Sequence, residues 1–360
     1  MTVSVVVGTR PEIIKMAPVY FALRKARLRP VLLHSGQHYD YEMSQKFFDE
    51  LGLPEPDAFL GIGSGRPGKQ TADAIDKFEQ EFANSSPDCV LVEGDTNTVL
   101  GGAIAAMKVG VLLGHVEAGL RSYDLRMPEE LNRRLADHAS NYLFAPTHDS
   151  VRILKGENVW GKVFRTGNTV IDATMRYMPK AERKSSIINR IGVDEFALAT
   201  FHRAENVDDP AILRSIVDVL MNSPVPMVLP LHPRTDARLR EESLKKTVEQ
   251  SDNVVLLPPV GYFDMLALMK KSAFIITDSG GIQEEATSPA VRKRVFVMRK
   301  STERPEAVRA GYCKVVGTNS EPVLRALRLY TKNPKTPALP SPYGKGDAGE
   351  RIASLLKKNI

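Results

Sequence analysis

Val5-Val6-Val7-Gly8-Thr9-Arg10-Pro11 is a β-branched apolar run that stops at a tight turn, with Thr9 placed to cap a helix and Pro11 suited to its first position. The same grammar recurs where Val90-Leu91-Val92 runs into Glu93-Gly94-Asp95, and where Phe274-Ile275-Ile276 leads to Asp278-Ser279-Gly280-Gly281. In open α/β sheets, ligands bind beyond the carboxyl ends of the strands, so the polar clusters mark a site in both halves of the chain.

Outward from these stretches, the N-terminal half alternates apolar runs near 3–8, 31–35, 88–94, 111–117 and 141–145 with amphipathic stretches. Such alternation predicts a parallel, doubly wound sheet. Ala74, Ile75, Phe78 and Phe82 recur at helical spacing, and Pro18 is expected to kink the first helix. From Pro179 to Arg190 the pattern dissolves into a charged, serine-containing segment. A second alternating series then opens at Phe196, with strands near 196–201, 226–231, 254–257, 273–277 and 294–298. The expected fold class is therefore α/β, with two doubly wound Rossmann-like domains facing each other across a cleft. The expected domains are 1–178, carrying the carboxylates discussed below, and 191–340, binding a nucleotide. Residues 341–360 end in a helix, Asp347 to Lys358, expected to pack back on the first domain.

Composition narrows the function. The 360 residues are 42% hydrophobic and 26% charged, ordinary for a folded protein of two domains. A net charge of +6 comes from Lys and Arg spread along the chain, which favours small phosphorylated ligands over nucleic acid. Cys89 and Cys313 each lie in an apolar run, so neither a disulfide framework nor a metal site is expected. The first strand begins within three residues of Met1, and no apolar run approaches the ~20 residues that span a bilayer. The expectation is a cytoplasmic protein with no membrane partner.

The turn at Gly8-Thr9-Arg10 offers amides to an anion, and Lys15 lies one turn later, but a well-made strand-to-helix turn reads the same way. A GxGxxG pattern is absent, which argues against a tightly held dinucleotide. Asp278-Ser279-Gly280-Gly281-Ile282-Gln283-Glu284-Glu285 is more specific, because two glycines let a phosphate approach the backbone at a helix start. Glu284 or Glu285 is placed to accept ribose hydroxyls, and Arg299 and Arg304 to meet a pyrophosphate. Asp95, Glu117 and Glu129 are the acid/base candidates. Asp95 and Glu129 also read as helix-start residues, whereas Glu117, inside Gly114-His115-Val116-Glu117-Ala118-Gly119, is a carboxylate in an apolar stretch and needs a purpose. His202 and Arg203, after the strand ending at Phe201, pair an imidazole with a guanidinium at a strand end. His38 and His232 read as structural or regulatory.

Together, Gly8 to Glu12, Gly36-Gln37-His38, Gly94-Asp95-Thr96, Gly114 to Arg121, Pro128 to Arg133, Gly167-Asn168-Thr169, Asp278 to Glu285 and Thr302 to Ala307 resemble the non-hydrolysing UDP-N-acetylglucosamine 2-epimerases, almost end to end. The resemblance implies the GT-B fold, a cytoplasmic homodimer, no cofactor, and interconversion of UDP-GlcNAc and UDP-ManNAc for surface polysaccharides. It implies elimination of UDP to 2-acetamidoglucal and re-addition after protonation on the other face. Carried over, Asp95, Glu117, Glu129 and His202 are the catalytic set, and Arg10, Lys15, Arg203, Ser279, Gly280, Gly281, Glu285 and Arg304 hold UDP while the domains close. Gln37, His38 and His232 are the regulatory candidates.

Departures from the family pattern are local. Thr287 to Arg294 lacks the usual Gly-Lys-Pro turn, and Met265 stands where bacterial relatives stack an aromatic ring near the uracil. Gly36 to Ser44 differs from the bacterial pattern for a second, activating UDP-GlcNAc, and looks like that of relatives acting on UDP-2,3-diacetamido-2,3-dideoxy-glucuronic acid. That uronate is the alternative substrate. A GT-B glycosyltransferase and a non-catalytic UDP-sugar binder are the remaining readings.

Overall fold

In the computed structural model, which describes residues 1–37 and 41–360, the chain divides into two compact units, Met1–Ala173 with Tyr343–Ile360, and Thr174–Pro342. The first unit is a parallel sheet of β1 (Thr2–Val7), β2 (Arg29–His34), β3 (Ala58–Phe59), β4 (Cys89–Glu93), β5 (Leu112–Val116), β6 (Tyr142–Ala145) and β7 (Lys162–Arg165), in the order β3-β2-β1-β4-β5-β6-β7. Val5 pairs with Leu32 on one side and Leu91 on the other. Central strands covered on both faces need no alternation, which is why they read as unbroken apolar runs. The helix Pro67–Ser85 buries Ala74, Phe78 and Phe82 into a core with Val6, Leu33, Val90, Val92 and Leu113, while Ile75 is half-buried. Its neighbour, the helix Asn97–Val109, comes so close that a Cβ on Gly101 would lie 2.4 Å from that of Ala74.

The second unit is a parallel sheet of β8 (Ala197–Thr200), β9 (Met227–Pro230), β10 (Val254–Leu257), β11 (Ile275–Thr277), β12 (Val295–Val297) and β13 (Cys313–Val315), in the order β10-β9-β8-β11-β12-β13. Both sheets are wound alike. Each reverses its strand order between its first and fourth strands, and a crevice opens at that point beyond the carboxyl ends. The crevices lie between β1 and β4 in the first unit and between β8 and β11 in the second. The strands absent from the sequence reading, β3, β7 and β13, are edge strands of two to four residues with partly exposed side chains, too short and diluted to stand out.

Near the domain boundary the structure differs from the composition reading. The helix Thr169–Lys184 runs through Pro179, a further helix covers Ile187–Arg190, and the units divide between Ala173 and Thr174. The charged composition there belongs to exposed helical faces rather than to a linker.

The last helix, Ala348–Asn359, belongs to the first unit and packs on the helix Arg10–Lys25. Gly349 sits against Pro18, where an added Cβ would come within 3.0 Å of the Pro18 carbonyl oxygen. The buried Asp172 carboxylate accepts the amides of Ala348 at 3.2 Å and Gly349 at 2.8 Å, and burial pushes its pKa up to about 6. Cys89 and Cys313 are free and buried, with burial pushing both thiols up to about 12. Among the described residues, no helix is long and apolar enough to cross a membrane.

Candidate active site

In the first unit the crevice is lined by carboxylates. Thr9 caps the helix Arg10–Lys25, and the buried Glu12 carboxylate in its first turn accepts the amides of Gly8 at 2.6 Å and Thr9 at 3.3 Å. The capping carboxylate thus already occupies amides that an anion would need. One turn on, the Lys15 ammonium bridges Glu93 Oε1 at 2.9 Å and Glu117 Oε2 at 2.6 Å. Glu93 closes β4 at 1% exposure, and burial holds its carboxyl well above the usual range against the pull of Lys15. Glu117 follows β5 with φ +68°, a left-handed conformation that strains a residue with a Cβ by ~1–3 kcal/mol. Asn168 Nδ2 donates to the same Oε2 at 2.9 Å, so two donors fix the strained side chain.

Beneath these carboxylates lies a buried polar chain. His115 on β5 places Nδ1 2.7 Å from Asp137 Oδ1 and Nε2 2.8 Å from the Gly94 carbonyl. Asp137 also accepts the Gly119 amide at 3.2 Å and pairs with Arg121 at 2.7 Å. One network therefore anchors both the Gly94-Asp95 loop and the turn from Glu117 to Gly119. Asp95 does not cap the next helix. Thr96 does, accepting from the Val99 amide, which leaves the Asp95 carboxylate to pair with Arg133 while Asn132 Nδ2 holds the Asp95 carbonyl at 3.0 Å. Glu129, in the first turn of the helix Pro128–Ala139, is exposed and makes no hydrogen bond or ion pair among the described residues. Its neighbour Glu130 is the buried one, held by Ser122, Arg133 and Arg134.

The crevice of the second unit is lined by cations. Asp278, fully buried after β11, accepts the backbone amides of His202 and Arg203 at 3.2 and 3.1 Å and the side chain of Asn206 at 3.2 Å. That single carboxylate shapes the loop after β8. His202 Nδ1 lies 3.4 Å from Asp278 Oδ1, and its ring centroid 5.4 Å from that of His232. Burial lowers the His202 pKa, Asp278 opposes the shift, and His232 and Arg203 add to it. Arg299 grips Glu303 with two contacts of 3.0 Å, and Arg203 reaches the same carboxylate at 3.4 Å. Burial alone would raise Glu303, but Arg299, Arg203 and Arg304 hold it down at about 2. Arg304 pairs through Nε with the buried Glu284 at 2.5 Å. A Cβ built on Gly280 would lie 3.5 Å from Arg304 Nη2 and 3.7 Å from Arg203 Nη2, so both guanidinium groups face the glycine backbone. Ser279 stands just before this short helix, Gly280–Glu285, without a capping hydrogen bond from its side chain.

The structure brings together Lys15 with Glu117, and Arg203 and Arg304 about Gly280 with Ser279 and Gly281 beside it. Glu285 is buried next to Tyr262, whose pKa is raised first by burial and then by the Glu285 charge. The Arg10 guanidinium lies over the Phe47 ring at 4.8 Å. Gln37 is a structural tie, buried, with Oε1 accepting from the Thr98 amide at 3.0 Å and hydroxyl at 2.6 Å. His232 caps the helix Pro233–Glu241 through Nδ1. His38 lies outside the described residues. Met265 is half-buried in the first turn of the helix Tyr262–Lys271. Sequence reasoning missed Glu93, Asp137, Asn168 as a contact of Glu117, and Glu303. Glu93 carried the same signal as Glu117, a carboxylate closing an apolar strand.

Comparison with known proteins places the chain among relatives. The family model described as UDP-N-acetylglucosamine 2-epimerase matches residues 22–357. A UDP-N-acetylglucosamine 2-epimerase of Methanocaldococcus jannaschii is 40% identical, with 99% of each chain covered. A UDP-2,3-diacetamido-2,3-dideoxy-D-glucuronate 2-epimerase of Pseudomonas aeruginosa is 39% identical, covering 99% of this chain and 100% of that one. The crystal structure of the M. jannaschii UDP-GlcNAc 2-epimerase in complex with UDP-GlcNAc and UDP matches with a TM-score of 0.91 over 100% of both chains at 40% identity. The two parallel α/β domains and this match give the chain the GT-B fold.

Proposed function

The chain belongs to the UDP-N-acetylglucosamine 2-epimerase family, and on that premise we propose that it interconverts UDP-GlcNAc and UDP-ManNAc without net hydrolysis. The C2 proton of the sugar lies next to no carbonyl, so its removal needs a departing group to take the electrons. A carboxylate of the first unit removes the C2 proton as the C1–O bond breaks, and its electron pair leaves with the β-phosphate of UDP. The products are 2-acetamidoglucal and UDP. Return of a proton to the opposite face of C2, with attack of the UDP oxygen at C1, completes the exchange.

Two faces of one carbon require two proton carriers, and Asp95 and Glu117 are those carriers, with the exposed Glu129 as a third acid/base group. The observation that carries the proposal is Glu117, whose backbone is left-handed and whose carboxylate is held by Lys15 and Asn168, since such strain persists where a carboxylate must stand in one place. Lys15, expected at the phosphate, serves first to hold Glu117. In the second unit, Arg203, Arg304, Ser279, Gly280 and Gly281 hold the diphosphate, Glu285 the ribose, and His202 meets the departing phosphate oxygen. Arg10 adds a further contact to UDP.

Leu131 and Leu135, one turn apart on the helix Pro128–Ala139, and Trp160, whose indole caps that helix at the His138 carbonyl, are exposed apolar groups that support a homodimer. The reaction feeds polysaccharide synthesis in the cytoplasm. A second reading, the diacetamido uronate as substrate, is supported by the Pseudomonas relative, 39% identical against 40% for the Methanocaldococcus enzyme. Proton NMR of the anomeric signals with each substrate decides. Conversion of UDP-GlcNAc to UDP-ManNAc is expected; conversion of the uronate alone would move the substrate, and free ManNAc with UDP would overturn the non-hydrolysing reading.

A further inference from the structure

Three buried carboxyl groups gather where β1, β4 and β5 end: Glu12 at 2%, Glu93 at 1% and Glu117 at 7% exposure. Among the described residues, the ammonium that reaches into this group is that of Lys15, and it is divided between Glu93 and Glu117. Among the described residues, the groups whose charge acts on Glu93 are Lys15 and Glu12 from the helix Arg10–Lys25 and Glu117 from the turn after β5. β1 contributes no charged residue, and the helix Asn97–Val109 carries only Lys108, in its last turn. Buried like charges this close do not all ionise, because one cation cannot offset three anions out of reach of water. The cluster retains at least one proton.

We propose that Glu93 is a positioning residue that carries this proton in the working enzyme, leaving the charge of Lys15 to Glu117. A neutral Glu93 still offers Oε1 as an acceptor to the Lys15 ammonium, so the lysine stays in place while its charge serves one carboxylate. Glu117 is then ionised and fixed, as a base must be, and the pocket adds no surplus negative charge against an arriving diphosphate. Loss of the proton at higher pH puts a second anion on Lys15, which divides the ammonium between two charged carboxylates, loosens its hold on Glu117 and sets surplus negative charge against the diphosphate. Burial favours the neutral form of Glu93, which leads in the same direction. The role of Glu93 in turnover rests on the epimerase reading above; its protonation does not.

Two measurements on the full-length protein test this. Difference infrared spectroscopy of the resting protein above pH 7 is expected to show the carbonyl band of a protonated carboxylic acid that is lost in Glu93→Gln and kept in Glu12→Gln. A band unaffected by Glu93→Gln overturns the proposal, whatever the protein's substrate. In turnover, Glu93→Ala is expected to lose about tenfold in kcat because Lys15 loses a partner, and Glu93→Gln to restore it, since the amide keeps the acceptor. Glu93→Gln should also move the alkaline limb of the kcat/KM profile upward by at least one pH unit. An unmoved limb, or a Glu93→Gln as impaired as Glu93→Ala, contradicts the assignment. Should Glu93→Ala fail to fold, the infrared band and the Glu93→Gln profile decide alone. Failure of the wild-type protein to epimerise would count against the family activity, with the infrared result still deciding the protonation.

Discussion

The two crevices share one winding and differ in charge. At the first, the strand ends present Glu93, Asp95 and Glu117, with Lys15 and Arg133 as counter-ions. At the second, one buried aspartate shapes the loop, and Arg203, Arg299 and Arg304 cluster about Glu303 and Gly280. Topology fixes where a ligand is met, and the residues that close the strands fix what is done to it. A carboxylate-lined crevice suits moving protons and an arginine-lined one suits holding phosphate, so the proposed chemistry divides between the units.

Breaking that division at its proton end gives the largest effect. Glu117→Gln keeps the shape and both hydrogen-bonding neighbours but cannot accept a proton, and kcat is expected to fall by about 10³-fold, within the span of general-base losses. UDP affinity, measured by calorimetry, should change by less than about threefold. A large loss of UDP binding would show that the units do not divide the work.

Stability sharpens the contrast at the phosphate end. Glu303 sits at about 2 when folded against an ordinary 4.5, a depressed carboxylate, so its contribution is present above pH 4.5 and lost as pH falls from 4.5 toward 2. The linkage is worth roughly 3 kcal/mol, and thermal melting should show this acid-side loss in the wild type and lack that part of it in Glu303→Gln. Equal slopes in both proteins would remove Glu303 as the organiser of the arginines.

Gly280→Ala is expected to fold normally, because the nearest atoms to the new Cβ lie at 3.5 Å or beyond, an ordinary contact. The methyl group would occupy the approach of the proposed phosphate, so UDP affinity should drop about tenfold, or about 1.4 kcal/mol, with Tm unchanged. Unchanged affinity would move the phosphate elsewhere. The smallest effect is expected from His232→Ala. Removing its charge relieves one of the influences that lower His202, so the limb of the kcat/KM profile that His202 sets should move to slightly higher pH. A limb that stays fixed would separate the two histidines.

The sequence revealed most where burial is complete and least where partners come from afar. Strands covered on both faces read directly as Val5 to Val7 or Phe274 to Ile276, whereas edge strands such as Ala58–Phe59 carried too few apolar side chains to register. Asp95 looked like a helix cap because it stands one residue before Thr96, and only the fold shows Arg133 reaching it from 38 positions away. Glu117 stood out as a carboxylate in an apolar stretch, but its strain and its ties to Lys15 and Asn168 depend on contacts across 102 and 51 positions. Composition between Pro179 and Arg190 suggested a break where helices continue, since an exposed helical face and a linker are equally polar.

The most direct test of the central claim is the isotope content at C2 when UDP-GlcNAc is turned over in D₂O and followed by proton NMR. The account predicts UDP-ManNAc carrying deuterium at C2, deuterium entering the recovered UDP-GlcNAc as the reaction reverses, and neither product change in Glu117→Gln. UDP-ManNAc formed with its original proton at C2 would contradict proton exchange at the carboxylate crevice and, with it, the division of labour between the two units.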